Sequence, residues 1–189
     1  MFFYKLKYDE KYPNAWYNDK VDIFLSIKCP VYDGHQRAKR NRDQNLSIEI
    51  KKPKMGDFVT TVFSDWLITD RVAEIFEKNK LTGYNLRPVD ICNYKFDFSL
   101  WELNVTGTAG KAHPDSGIFI EEYCGYCNNI KFSPIKKGTG IIINENTWDG
   151  SDIFTIEEFW KFIFVTDKVK EIIEQNKFKG VLFIKPNEL

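Results

Sequence analysis

Side chains that could do chemistry are scarce in this chain. Among 189 residues there are only two histidines, four cysteines and two methionines, and neither histidine has an evident nucleophile as partner. GxSxG, the P-loop, HExxH and the glycine-rich dinucleotide fingerprint are all missing, which removes the usual sequence signatures of acyl transfer, phosphoryl transfer, metalloprotease and hydride-transfer chemistry. The sequence therefore predicts a protein that is not an enzyme. Net charge is missing too. Lys+Arg and Asp+Glu number 27 each, so no global field draws the chain to nucleic acid or to an anionic membrane. No uncharged apolar run approaches the ~20 residues that span a bilayer. The opening MFFYKLKYDEKY meets charge too early for a signal-peptide core. These absences predict a soluble, cytoplasmic protein with no membrane partner. In that compartment the four cysteines are not expected to form disulfides, which leaves metal binding or burial.

What is present begins with core material: 43% hydrophobic and 16% aromatic residues, with Phe, Tyr and Trp expected to fill much of the interior. Next comes a repeat. LITDRVAEIFEKNKLTG (67–83) returns as FVTDKVKEIIEQNKFKG (164–180) at a constant offset of 97 residues. Each copy predicts a short helix. Thr69 and Thr166 are placed as N-caps, and Asp70 and Asp167 put negative charge in the first turn, where the helix dipole favours it. Val72, Ile75 and Phe76, and again Val169, Ile172 and Ile173, form one apolar stripe. Gly83 and Gly180 permit a left-handed turn after the helix, and an apolar strand follows each. The lead-ins DFVTTVFSDW (from Asp57) and DIFTIEEFWK (from Asp152) also correspond.

Further strands are expected at 2–8, 21–28, 47–50, 94–105 (with a bulge between Leu100 and Trp101), 117–123 and 141–143. An extra helix is expected at Ile156 to Phe162. The pattern predicts one α+β domain over 1–189, mostly antiparallel. It would hold two pseudo-repeated halves of about 1–91 and 92–189, with the repeated helix–strand units around 57–91 and 152–186.

Three local stretches carry possible function. Cys124-Gly125-Tyr126-Cys127 is half of a zinc site, since two thiolates can converge on one ion. Cys29, in IKCPVYDGH, and His35 are the leading candidates for the other half, ahead of Cys92 and His113. The basic run His35 to Arg42, which Lys51, Lys52 and Lys54 could extend, reads as a nucleic-acid patch or as a solvated loop. The acidic loop NENTWDGSD (144–152) lacks EF-hand spacing. It reads as a turn that offers Glu145, Trp148, Asp149 and Asp152 to a partner.

Taken together, IKCPVYDG with its CPxCG-like start, YCGYC, the W-x-G-x-D-x-F pattern from Trp148 to Phe154 and the twin helical segment resemble the bacterial double-CXXCG motif family. That family is similar in style to the immunity proteins of polymorphic toxin systems. The resemblance implies a protein that binds and neutralises a cognate toxin, and a metal role for Cys124 and Cys127, extended to Cys29 and His35. This sequence has Val31-Tyr32-Asp33 where the pattern expects a second cysteine. The alternative is a zinc-ribbon module that binds nucleic acid, which the charge balance does not favour.

Overall fold

The computed structural model describes residues 2–18, 26–38 and 45–189. In chain order the elements begin with β1 (Phe3–Tyr8), β2 (Ala15–Tyr17), β3 (Ser26–Lys28), β4 (Gln36–Ala38) and β5 (Leu46–Ile50). The first repeated unit follows as β6 (Phe58–Thr60), β7 (Trp66–Thr69), α1 (Asp70–Lys78) and β8 (Tyr84–Ile91). Then come β9 (Leu100–Val105), β10 (Gly107–Thr108), β11 (Ile120–Cys124) and β12 (Asn129–Phe132). The second unit is β13 (Ile153–Thr155), β14 (Phe164–Thr166), α2 (Asp167–Gln175) and β15 (Val181–Ile184). This is an α+β fold, mostly β. Two larger sheets run β10-β13-β14-β1-β15 and β2-β5-β8-β9-β7-β6, and β3–β4 and β11–β12 are separate hairpins. Among the described strands, only the β10–β13 and β5–β8 pairings are parallel.

The pairing gives the repeat its physical meaning. In the first unit β9 lies between β7 and β8. In the second unit the strand between β14 and β15 is β1, from the start of the chain. Leu100 pairs with Thr69, and Phe3 pairs with Thr166. Both members of one pair are 97 residues from those of the other, so β1 and β9 are also copies of one strand. Each copy completes the other copy's sheet. Flanking contacts are exchanged in the same way. The Asp70 N–H donates to the Ser99 carbonyl at 3.1 Å, and the Asp167 N–H donates to Phe2 at 3.0 Å. The Thr106 N–H donates to the Gly83 carbonyl, and the Asp9 N–H donates to Gly180.

A second exchange locks the lead-ins. Asp57 Oδ2 accepts the Lys179 N–H at 2.8 Å, and Asp152 Oδ2 accepts the Thr82 N–H at 3.0 Å. Each carboxylate also meets a cation of its own unit, Arg71 at 2.9 Å and Lys168 at 3.2 Å. The turn after each helix thus docks on the other unit's lead-in strand.

Both helices and the inner faces of both sheets share one core, with Phe58, Phe76, Ile153, Val165 and Val169 all at most 1% exposed. The outer faces bury smaller clusters around Ile48 and Leu67 and around Phe154 and Phe164. Strands such as β6 and β7 are therefore buried on both faces and show no alternation. Each helix has only nine residues. That is too short to persist alone, so tertiary burial of the apolar stripe holds it.

Several local expectations are corrected. Thr69 and Thr166 stand at the N-cap positions, but neither side chain makes a cap bond, and both hydroxyls are buried with no partner. The Asp70 and Asp167 carboxylates instead accept the next residue's N–H. Thr69→Val or Thr166→Val is thus expected to be neutral or to stabilise by up to about 1 kcal/mol, because it removes an unsatisfied buried hydroxyl. A true cap would make the same change cost about 1 kcal/mol, and urea denaturation separates the two. The left-handed residues that directly end the helices are Lys80 and Lys177 (φ 50° and 54°). Gly83 and Gly180, three residues further on, also have positive φ (88° and 92°), and they admit close passage of the other unit's backbone as well.

Residues 156–162 form turns, not a helix. They connect β13 to β14, and Phe159 stacks on Phe162 within that connection. Residues 141–143 are not a strand. Ile141 and Ile143 are buried, while the 141 and 142 N–H groups bond to Pro186 and to the Ser116 hydroxyl. The alternation from Tyr94 becomes a strand only at Leu100, where β8 and β7 supply partners, and the pairing through Leu100 and Trp101 is continuous, without a bulge. Residues 21–25 of the expected strand 21–28 lie outside the described residues, as do 39–42 of the basic run.

Candidate functional site

The two hairpins meet. Cys29 follows β3, and Cys124 ends β11. Cys29, His35, Cys124 and Cys127 bring their ligand atoms within 4.8 Å of one another. Cys29 Sγ lies 3.8 Å from Cys124 Sγ, and Cys127 Sγ lies 3.8 Å from His35 Nδ1. A tetrahedral ion with metal–sulfur bonds of about 2.3 Å holds its sulfurs about 3.8 Å apart. The three cysteines are buried and the histidine is half-buried. Three soft sulfurs and one imidazole form a donor set that could hold a metal ion.

The backbone supports this use. The N–H groups of Val31 and Tyr32 point at Cys29 Sγ, at 3.5 and 3.3 Å. At the other hairpin, N–H donation from Cys127 brings the Cys124 thiol down to about 6, with Tyr126 adding to it against the upward push of burial. Burial pushes the Cys127 thiol up. Both turns thus aim the amides two and three residues on at the first sulfur. The two hairpins also stand in corresponding places, because Cys29 and Cys124 are 95 residues apart, the same offset as the lead-in residues Asp57 and Asp152. On that offset Tyr32 falls where Cys127 stands, and His35 supplies the fourth donor. The signal for this was present in the sequence but obscured by the change from cysteine to tyrosine.

The weaker ligand candidates lie elsewhere. Cys92 is exposed and contacts the Ser47 hydroxyl at 2.9 Å. His113 faces Asp115 at 3.5 Å. Of the lysines near the basic run, Lys51 sits over the Trp16 ring, 3.6 Å from its centroid.

In the 144–152 loop, three of the four candidate contact residues have intramolecular partners. Trp148 packs edge-on against Phe3, and its ring N–H donates to the Ser151 carbonyl. Asp149 accepts from the N–H groups of Thr108 and Ser151. Burial works against its charge, but these bonds prevail and hold the carboxyl below its ordinary value. That contribution is complete above the unfolded value and fades as pH falls through the folded one. Asp152 is the latch to Thr82 already described. Glu145 alone of the four has no such contact among the described residues, and it is exposed. Asp152→Ala is expected to cost about 2 kcal/mol, through loss of charge-assisted bonds at a side chain only 13% exposed. Glu145→Ala should stay within about 0.5 kcal/mol. Thermal unfolding of the two variants checks both.

No helix among the described residues is long and apolar enough to cross a membrane. No curated protein matches the chain. A family model described as an immunity protein family, Imm11, matches residues 42–188. The match takes in both repeated units and the Cys124–Cys127 hairpin, and it begins after Cys29 and His35. Immunity proteins are typically non-catalytic. With most of its length matched, this chain belongs to the Imm11 immunity protein family.

Proposed function

We propose that this protein binds a cognate toxin in the cytoplasm and neutralises it by protein–protein contact. The observation that carries this reading is the family match across both repeated units. We also propose that the Cys29–His35–Cys124–Cys127 cluster holds a zinc ion as a structural staple, with the β3–β4 hairpin as the altered counterpart of the CxxC hairpin. A structural zinc site is closed, with four protein ligands and no open position for chemistry. Four donors from two hairpins 95 residues apart fit that role. The 144–152 loop, with Glu145 at its exposed turn, is a contact surface on this reading.

The test uses the product of the gene immediately upstream, inactivated and purified, in titration calorimetry with this protein. One-to-one binding, with rescue of growth on co-expression with the active toxin, is expected. Absence of both rejects the reading for that partner.

A further inference from the structure

The two repeated units differ at one groove, and the difference suggests what the groove holds. In the first unit a groove of about 610 Å³ opens between α1 and the β8–β9 ribbon. Its floor includes Ala73, Leu86 and Trp101, and Tyr84, Glu74 and Glu77 stand around it. In the second unit the same place is filled from within. Lys170 occupies the position that Ala73 holds in the first copy, 97 residues away. Its ammonium lies 5.3 Å from the Tyr4 ring and 5.7 Å from the Phe183 ring, and it pairs with Glu174 at 2.6 Å. Those three residues correspond to Trp101, Leu86 and Glu77.

The first unit therefore keeps an aromatic wall and the matching carboxylate but lacks the cation. Where the second unit has the Tyr4 and Phe183 rings, the first has Leu86 and the Trp101 indole, and an indole face attracts a cation better than a phenol ring does. The surroundings are net acidic, with Glu74, Glu77 and Asp70 set against Lys80. Charge near Glu77 and Asp152 adds to burial in pushing the Tyr84 hydroxyl up. Asp152, bonded to Thr82, also joins this end of the groove to the 144–152 loop.

We propose that this groove receives a lysine or arginine side chain of the toxin, in the way that Lys170 occupies its counterpart. The inference rests on the toxin-binding reading and names one of its contacts. Ala73→Lys supplies the missing cation from within, and the second unit already accommodates that residue. Glu77→Gln removes the carboxylate at an exposed position without disturbing the core.

The experiment measures toxin affinity of the wild type and both variants by calorimetry. In parallel, N-acetyl-arginine amide is titrated while the Trp101 indole N–H signal is followed by NMR. About a tenfold loss of toxin affinity is expected for Ala73→Lys and a several-fold loss for Glu77→Gln. The arginine amide should give saturable shifts at Trp101 that disappear in Ala73→Lys. Wild-type toxin binding that both variants retain in full overturns the groove contact and leaves the toxin reading standing. If the wild type neither binds the toxin nor rescues growth, the toxin reading fails for that partner and the amide titration decides alone: saturable, Ala73→Lys-sensitive shifts support a cation groove, and flat signals overturn it.

Discussion

Gly180→Ala is expected to cost about 3–4 kcal/mol and to be one of the most damaging single changes in the chain. Two terms add. Gly180 has φ +92°, a conformation that costs an L side chain about 1–2 kcal/mol. A Cβ there would also overlap the Phe58 carbonyl oxygen, and forcing backbone apart in a packed interior costs about 1–3 kcal/mol more. The site has little room to yield. Phe58 is fully buried, its N–H donates to the Lys179 carbonyl, and the Lys179 N–H is itself held by the Asp57 carboxylate. Gly83 faces the Ile153 carbonyl in the same way, so Gly83→Ala should behave alike. Gly138 supplies the control. Its φ is +87°, yet nothing lies within 4 Å of its Cβ direction, so Gly138→Ala should cost only the backbone term. Urea denaturation of the three variants measures the difference. Equal losses at Gly180 and Gly138 would refute the close approach of the two units.

The second large effect concerns metal. Purified protein is expected to carry one zinc ion per chain, and its removal by a chelator should lower the melting temperature by roughly 8–16 °C. Ligand at about a thousand times its dissociation constant stabilises by about 4 kcal/mol, and each kcal/mol moves a chain of this size by about 2–4 °C. Cys124→Ser and Cys29→Ser should each abolish stoichiometric zinc, although Cys29 lies outside the family match. Cys92→Ser should leave it untouched, since that thiol is exposed and bonds to Ser47 and Asn18. Elemental analysis reads all three. A zinc content unchanged by Cys29→Ser would mean that the β3–β4 hairpin does not take part.

Both predictions depend on contacts between residues 70 or more apart in sequence, and the sequence was least informative about these. The helices α1 and α2 were legible because their signals are local. An apolar stripe at helical spacing, an acidic first turn and a following glycine all fall within 17 residues. The threonine caps were misread because a hydroxyl at the right position says nothing about whether the Asp after it captures the amide first. The 156–162 helix was misread because a hairpin connection carrying Phe159 and Phe162 can imitate helical spacing. Nothing local announced that Asp152 also holds the Thr82 amide, because that amide lies 70 residues away.

The sequence by itself determined that the chain carries two copies of one helix–strand unit, that it lacks the usual catalytic motifs, and that CxxC with a second cysteine region could bind metal. These conclusions need only composition, periodicity and spacing. Only the tertiary structure decided that β1 and β9 change places, that His35 joins the three cysteines in one cluster, and that Lys170 fills one groove while Ala73 leaves its twin open. Strand pairing and ligand convergence depend on which distant segments become neighbours. Short strands buried on both faces carry no alternation that could announce their partners.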